Sequence, residues 1–370
     1  MEISVDNKAL FHLMLLLLSL SLPPSASGLA CHAGDKQALL GFKAKITYDS
    51  GLLDSWNPST DCCSWDGIEC DFSGRVISLN RPGHFSNPFP VEVIMKGTLS
   101  PSLGNLTFLR HLNLEFLMEL EGPIPPEFGK LTRLNNLTLE SNKLTGSIPN
   151  TFRNLSELKR LYLSDNQISG TIPSSVFESL RSLTELGLSG NRLSGPIPES
   201  IGTLSLLTMI FLYGNNLSGP LPSSIGKLKL LTFLDLSENQ ITGSIPSSFS
   251  GLSSLEYCFL DDNKLTGSLP LSIGMLSNTK RLYLQNNRLT GQLPATMGNL
   301  VNLTELLLAG NKLSGAIPGN LLNLTGLTRF DVSNNNLSGR IPPHTAIIPP
   351  SAFKNNSGLC DAPLPPCKHA

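Results

Sequence analysis

The sequence predicts an α/β-type solenoid, a chain wound into short parallel strands and closed at each end by a disulfide-stapled cap. Three observations predict it. A sixteen-residue pattern recurs at a fixed interval, leucines alternate within it, and six of the seven cysteines cluster at the two ends of the repeating region. An interval this strict means one structural unit repeated side by side.

Residues 231–246 read LTFLDLSENQITGSIP. The pattern LxxLxLxxNxLxGxIP, with Ile241 in place of its last Leu, returns at 207–222 and at 255–270. Its asparagine falls at Asn142, Asn166, Asn191, Asn215, Asn239, Asn263, Asn287, Asn311 and Asn335. Seven of the eight steps between these asparagines are the same length, and the step from Asn166 to Asn191 is longer by a single position. Leu234 and Leu236 alternate with Phe233, Asp235 and Ser237, and a period of two means a strand with one face inward. One strand cannot bury its own leucines, but stacked parallel strands give each leucine a neighbour above and below. At a strand spacing of about 4.8 Å, ten or so coils span roughly 45–50 Å. The Asn after each strand is expected to point inside and bond backbone groups of adjacent coils, where losing such a partner costs ~1–3 kcal/mol. The Gly of xGxIP suits a left-handed turn. The Pro removes a donor and forbids helix, and the Ile or Leu before it fills the core from the back.

These residues resemble the plant extracellular leucine-rich repeat, over roughly residues 31–367 and in nine near-complete copies. The resemblance implies a right-handed coil with the sheet on the concave face and short turns or 3₁₀ segments on the convex face. Periodicity gives the repeat; the hand comes from the resemblance.

Taken in order, residues 1–28 read as a signal peptide. The mostly apolar run 10–22 is shorter than the ~20 residues needed to span a bilayer. Ser25, Ala26, Ser27 and Gly28 then suit cleavage. Lys8 is outnumbered by Glu2 and Asp6, so an uncleaved anchor is the competing reading. No later stretch approaches membrane-spanning length, so the mature chain is expected to be secreted, extracellular or in the cell wall, with no membrane span. At 370 residues it exceeds the usual limit for a single compact core, which a linear core escapes. Lys and Arg total 27 against 28 acids, so no basic excess condenses it on nucleic acid.

Residues 29–74 read as an N-terminal cap, with a short amphipathic helix over 35–46. Exposed leucines at a solenoid's end need covering, and disulfides staple small covers. Cys31, Cys62, Cys63 and Cys70, with Trp56 and the run DCCSWDGIEC, resemble the N-terminal cap of plant extracellular repeat proteins. That resemblance implies Cys31–Cys62 and Cys63–Cys70; spacing alone also allows Cys62–Cys70. Cys360 and Cys367 resemble the matching C-terminal cap, implying a third bridge in residues 343–370. Removing a bridge of this kind costs ~2–5 kcal/mol. Neither end has paired CxxC motifs or histidines at zinc spacing, so no metal or other cofactor is expected. Cys258 falls in register with Leu234 and reads as a small buried hydrophobe, since a reactive thiol needs exposure and a positive neighbour.

The solenoid proper covers residues 75–342, about ten to eleven coils. A strand begins near 75–79, and residues 81–96 insert a loop containing Pro82, Pro88 and Pro90. The coil at 109–125 has one extra residue and lacks the motif asparagine. Such early coils resemble the polygalacturonase-inhibitor and DNA-damage-toleration types of secreted repeat protein. Eight Asn-x-Ser/Thr sequons mark glycosylation candidates, at Asn105, Asn136, Asn154, Asn216, Asn302, Asn323, Asn336 and Asn355. Asn136 alone falls on a concave strand, where a glycan would shield the N-terminal third of the face.

Three outward columns follow from the register. The first runs His111, Asn136, Arg160, Glu185, Met209, Phe233, Tyr257, Arg281, Glu305, Arg329. The second runs Asn113, Thr138, Tyr162, Gly187, Phe211, Asp235, Phe259, Tyr283, Leu307, Asp331. The third runs Glu115, Glu140, Ser164, Ser189, Tyr213, Ser237, Asp261, Gln285, Ala309, Ser333. A water-facing sheet is expected to be polar. In the middle coils Met209, Phe211, Tyr213, Phe233, Tyr257, Phe259 and Tyr283 stand side by side, with Asp235 and Asp261 among them and Arg281 at one edge. A contiguous apolar patch marks an interaction site, and aromatics with Arg are the composition of binding hot spots. The competing reading is that the rings only pack laterally as cross-strand pairs.

These ten residues are therefore the expected contact surface for an extracellular protein, peptide or wall polysaccharide. An inhibitor of microbial polygalacturonase and a soluble co-receptor for a membrane receptor kinase are the alternatives. Catalysis is not expected. Asp235 and Asp261 could pose as a glycosidase pair, but the sheet has no lid, the histidines at 12, 32, 84, 111, 344 and 369 are scattered, and GxSxG is absent. Nucleotide work is not expected either, because Gly129-Lys130 and Gly226-Lys227 are each followed by Leu rather than Ser or Thr.

Overall fold

One three-residue strand per coil pairs with its neighbours into a sheet of twelve strands in a computed structural model that describes residues 30–83, 93–344 and 346–367. The expected signal peptide, and the part of the inserted loop that carries Pro88 and Pro90, lie outside the described residues. After an antiparallel start between Ile68–Cys70 and Val76–Asn80, every pairing is parallel and in chain order, from His111–Asn113 to Arg329–Asp331. Phe233–Asp235 shows the register. Phe233 stands opposite Met209 and Tyr257, Leu234 opposite Ile210 and Cys258, and Asp235 opposite Phe211 and Phe259. A one-residue slip would turn every leucine outward. As expected, Ile210, Leu212, Leu234, Leu236, Leu260, Leu282 and Leu284 all join one continuous core. Cys258 joins it as a free, buried thiol whose pKa burial pushes up.

The asparagine locks each coil to the next. Asn239 Nδ2 donates to the carbonyls of Leu212 (3.0 Å), Leu236 (3.2 Å) and Ser237 (3.0 Å), while its Oδ1 accepts from Leu217 N (3.0 Å). The pattern extends one rung beyond the sequence reading. Asn356, in the C-terminal cap, bonds Val332, Phe353 and Lys354 carbonyls and accepts from Leu337 N. It follows Asn335 by a shorter step than separates any two of the nine repeat asparagines, which hid it from the period. At the other end Leu117 stands in the asparagine's place, fully buried, its amide bonded to Asn142 Oδ1. Phe116 has the positive φ that every coil shows just before this place, and a second positive φ at Met118, peculiar to this coil, takes up its extra residue.

In most coils the proline of xIP caps a one-turn 3₁₀ segment such as Ser247–Gly251, which buries Phe249. The one longer step, from Asn166 to Asn191, is taken up here. Its coil carries a short α-helix, Ser174–Ser179, where its neighbours have five-residue 3₁₀ turns. The residues before the Gly add pairing that the sequence reading does not include. The xLxG segments pair into further parallel sheets, for example Ser169–Thr171, Arg192–Gly195, Asn216–Pro220 and Gln240–Thr242. Each strand is only three to five residues long and has a left-handed glycine in it or just after it, φ 73° at Gly243, too short to give a period of two.

The N-terminal helix runs Ala33–Lys43, shorter than the 35–46 expected, because Ile46 begins the strand Ile46–Tyr48 against Lys96–Thr98. Its Asp35 is buried and clamps the first coil, accepting from Arg75 Nε and Nη2 at 2.9 Å each and from Val76 N at 2.9 Å. The bridges are Cys31–Cys62, Cys63–Cys70 and Cys360–Cys367, the pairing that the family resemblance implies.

Candidate ligand-binding face

The middle coils bring the expected aromatics together as one strip on the concave sheet. Ring centroids lie 4.8 Å apart for Phe211–Phe233, 5.5 Å for Phe233–Tyr257, 5.4 Å for Phe233–Phe259 and 4.7 Å for Phe259–Tyr283. The rings tilt onto one another because each is wider than the spacing between strands. The strip departs from expectation in one respect. Phe211 and Phe259 stand outside the interior core, yet are only 7% and 2% exposed, and Asp235 only 6%. The central column is covered by the two flanking columns, so these three support the face rather than form its contact area. Met209, Tyr213, Phe233, Tyr257, Asp261, Arg281 and Tyr283 remain partly exposed.

An Arg–Glu–Tyr cluster brackets the strip at each end. On one side Arg160 Nε meets Glu185 Oε1 at 3.0 Å and Tyr162 donates to the same carboxylate. On the other, Arg281 Nε meets Glu305 Oε1 at 2.9 Å and Tyr283 donates to it, with Arg329 3.7 Å away. Burial and Glu305 push the Tyr283 phenol up to about 12. These brackets were not foreseen. The available signal was the repeated Arg-Leu-Tyr-Leu at 160–163 and 281–284, each followed one coil later by a first-column Glu.

Charge is uneven across the groove. In the first column and the position before it stand Arg110, Lys159, Arg160, Lys280, Arg281 and Arg329, with Glu185, Glu256 and Glu305 among them. The third column and the position after it hold Glu115, Glu140, Asp165, Glu238, Asp261 and Asp262, and no base. Asp261 is pushed up to about 7, by burial first and then by Asp235, Asp262 and Glu238, its own amide offsetting part of this. Asp235 is pushed up to about 6 because burial outweighs the hydrogen bonds from Ser237 Oγ (2.6 Å) and N (3.0 Å). Glu140 is pushed up to about 8, again by burial first, with Glu115 and Asp165 adding repulsion. Asp261 Oδ1 and Gln285 Oε1, on adjacent coils, are shielded from solvent and accept no hydrogen bond among the described residues.

Glu238 and Asp262 also sit at left-handed φ, 53° and 51°, where Gly190, Gly214 and Gly310 occupy the equivalent place in other coils. A side chain there costs about 1 kcal/mol, so Glu238→Gly is expected to raise stability by about that much in denaturant unfolding.

Seven sequon asparagines are exposed, and Asn136, on its concave strand, is half-buried. Two depressions, of about 450 and 670 Å³, lie at the N-terminal cap and on the convex side, away from the aromatic strip. The one grouping of potential metal ligands found among the described residues, Cys31, Asp61, Cys62 and Cys63, has its sulfurs in disulfides and its carboxylate capping Cys31 N and Cys63 N. No helix among them is long and apolar enough to cross a membrane.

Comparisons with known proteins agree with this architecture. The profile of the leucine-rich repeat N-terminal domain matches residues 32–71, and leucine-rich repeat profiles match 125–168, 182–204, 205–265, 278–300, 302–324 and 326–346. A polygalacturonase inhibitor of Vitis vinifera is 37% identical over 113 residues, 30% of this chain and 31% of that one. The curated relatives include several receptor-like proteins and receptor kinases of Arabidopsis thaliana, and the matched stretches span 7 to 31% of the relatives' own lengths. A crystallised plant ice-binding protein is 32% identical with a TM-score of 0.70, over 92% of this chain and all of that one. The Arabidopsis receptor kinase HAESA, solved with the peptide hormone IDA and the co-receptor SERK1, is 32% identical with a TM-score of 0.61, over 84% of this chain and 55% of that one.

Proposed function

The chain belongs to the leucine-rich repeat family, and from that premise we propose that it is a secreted, non-enzymatic recognition protein whose concave face binds an extracellular protein or peptide. The observation that carries this is the aromatic strip. Met209, Tyr213, Phe233, Tyr257 and Tyr283 leave apolar area open to water on a face that burial alone does not require to be apolar. Phe211 and Phe259 hold the rings from beneath, which gives a preorganised surface. A shallow, unlidded face suits an extended segment or a protein surface better than a small molecule. HAESA's complex with a peptide hormone and a co-receptor supports the peptide reading and a receptor-kinase partner, and the Vitis inhibitor supports a microbial polygalacturonase as partner. Glycans at the exposed sequons would cover the back and flanks and leave the strip open.

The test is affinity capture from plant extracellular fluid on immobilised full chain and on its Phe233→Ala/Tyr257→Ala variant, read by mass spectrometry. Partners retained by the native chain and lost from the variant, at least about tenfold, are expected. Equal retention on both rejects the concave assignment. A direct assay with purified fungal polygalacturonase separates the inhibitor role from the receptor role.

One observation favours a second reading, the end-to-end likeness to a plant ice-binding protein. The xLxG segments carry a ladder of hydroxyls, Thr145, Ser169, Ser194, Ser218, Thr242, Thr266, Thr290, Ser314 and Ser338, each at least partly exposed and one per coil. Thermal hysteresis that Thr242→Tyr/Thr266→Tyr abolishes would support ice binding there. Its absence from the native chain would remove that reading.

A further inference from the structure

We propose that the ligand of the concave face is a basic amphipathic peptide segment, laid along the groove with its apolar side chains on Phe233 and Tyr257 and its Lys or Arg side chains against Glu238, Asp261 and Asp262. This rests on the recognition role above and adds the chemistry of the partner.

The argument is one of charge complementarity. Beside the strip, the first-column charges are already paired within the protein. Arg160 pairs with Glu185, Arg281 with Glu305, and Lys280 with Glu256 at 2.7 Å. On the opposite rim Glu238, Asp261 and Asp262 form no ion pair among the described residues. Among the described residues the Asp262 carboxylate accepts only from the neutral Asn286, at 2.9 Å. Arg110 and Lys159, towards the N-terminal coils, are in no ion pair among the described residues either, but beside the exposed rings the uncompensated charge is this acidic rim.

A polyanion such as an acidic wall polysaccharide would meet three unpaired carboxylates at this edge. A cationic side chain would relieve their mutual repulsion while its aliphatic stem covered the neighbouring ring. Burial raises Asp261 first, and the same crowding of carboxylates adds to it. Asp235 and Glu238 face it from the preceding coil, Asp262 flanks it, and the following coil offers only uncharged Gln285 and Asn286 at this edge. A cation docking here ionises Asp261, so binding releases a proton and strengthens as pH rises from about 5 to about 8.

The test uses a display library of short random peptides panned on the purified full chain, keeping clones that bind the native protein and fail on Phe233→Ala/Tyr257→Ala. Kept clones are expected to carry several-fold more Lys and Arg than Asp and Glu. They should bind roughly tenfold more weakly to Glu238→Gln/Asp261→Asn, and more tightly at about pH 8 than at about pH 5. Neutral or acidic kept clones, or equal binding to the charge variant, would overturn the proposal while leaving the recognition face standing. If no clone depends on Phe233 and Tyr257, the recognition face itself is rejected. The charge variant removes crowded carboxylates, so loss of fold does not confound the result.

Discussion

Asn239→Ala is expected to destabilise the protein by about 3–5 kcal/mol, far beyond an ordinary surface substitution. The side chain makes four hydrogen bonds to backbone groups of neighbouring coils and its own, and is almost wholly buried. Alanine strands the Leu217 amide in a place water reaches poorly, and takes one of two donors from each of the three carbonyls, which keep Asn215 Nδ2 at Leu212, Asn263 Nδ2 at Leu236 and Gly214 N at Ser237. Each coil contacts only its neighbours, so the damage is expected to split the unfolding transition at that coil before it unfolds the whole array. Asn278→Ala is the control. Its side chain is exposed and makes one bond, to the Ser253 carbonyl at 2.7 Å, and its loss is expected to cost less than about 1 kcal/mol. Urea unfolding followed by circular dichroism measures both. Similar midpoints for the two variants would show that the asparagine ladder contributes little.

Glu140→Gln is expected to act in the opposite direction, by an amount that grows as pH rises from 4.5 to about 8. The folded protein holds this carboxyl near 8, against 4.5 in an unfolded chain. Between those values the folded state binds more protons than the unfolded state, so stability falls as pH rises through the window. Above about pH 8 the full penalty applies, on the order of a few kcal/mol at about 1.4 kcal/mol per pKa unit. Below about pH 4 none of it remains. The neutral isostere should therefore match the native chain in acid and exceed it in melting temperature at pH 8 to 9. Asp261→Asn and Asp235→Asn follow the same rule over narrower windows, closing near 7 and 6. A melting-temperature difference that does not change with pH would mean that Glu140 is not held neutral by burial.

Leu234 and Asn239 show why so much of the fold was legible in the sequence. Both make contacts fixed by the coil's own geometry and repeated once per coil, so periodicity alone predicts which way each points. Cysteine pairing was legible through resemblance, not spacing. What the sequence did not disclose depends on the sizes of particular neighbours one coil away. Phe211 and Phe259 point to the concave side as the alternation requires, but whether water reaches them depends on the rings beside them. Glu185 and Glu305 read as surface charges until the Arg and Tyr of the adjoining coil are placed against them. Glu140 reads as an ordinary solvated acid until Glu115, Asp165 and its own burial are seen together. The α-helix at Ser174–Ser179 and the Asn356 rung escaped because each breaks the period by which the rest was found.

The central claim is that binding occurs on the exposed part of the aromatic strip. The most direct measurement is titration calorimetry of a captured partner against three proteins: the native chain, Phe233→Ala/Tyr257→Ala, and Leu206→Ala/Leu230→Ala. Leu206 and Leu230 are exposed apolar residues on the coil flank, outside the concave strands, 44% and 47% accessible. The concave pair is expected to lose about 2 kcal/mol or more of binding free energy, with the flank pair unchanged. Unchanged affinity in the concave pair, or a loss confined to the flank pair, would contradict the account.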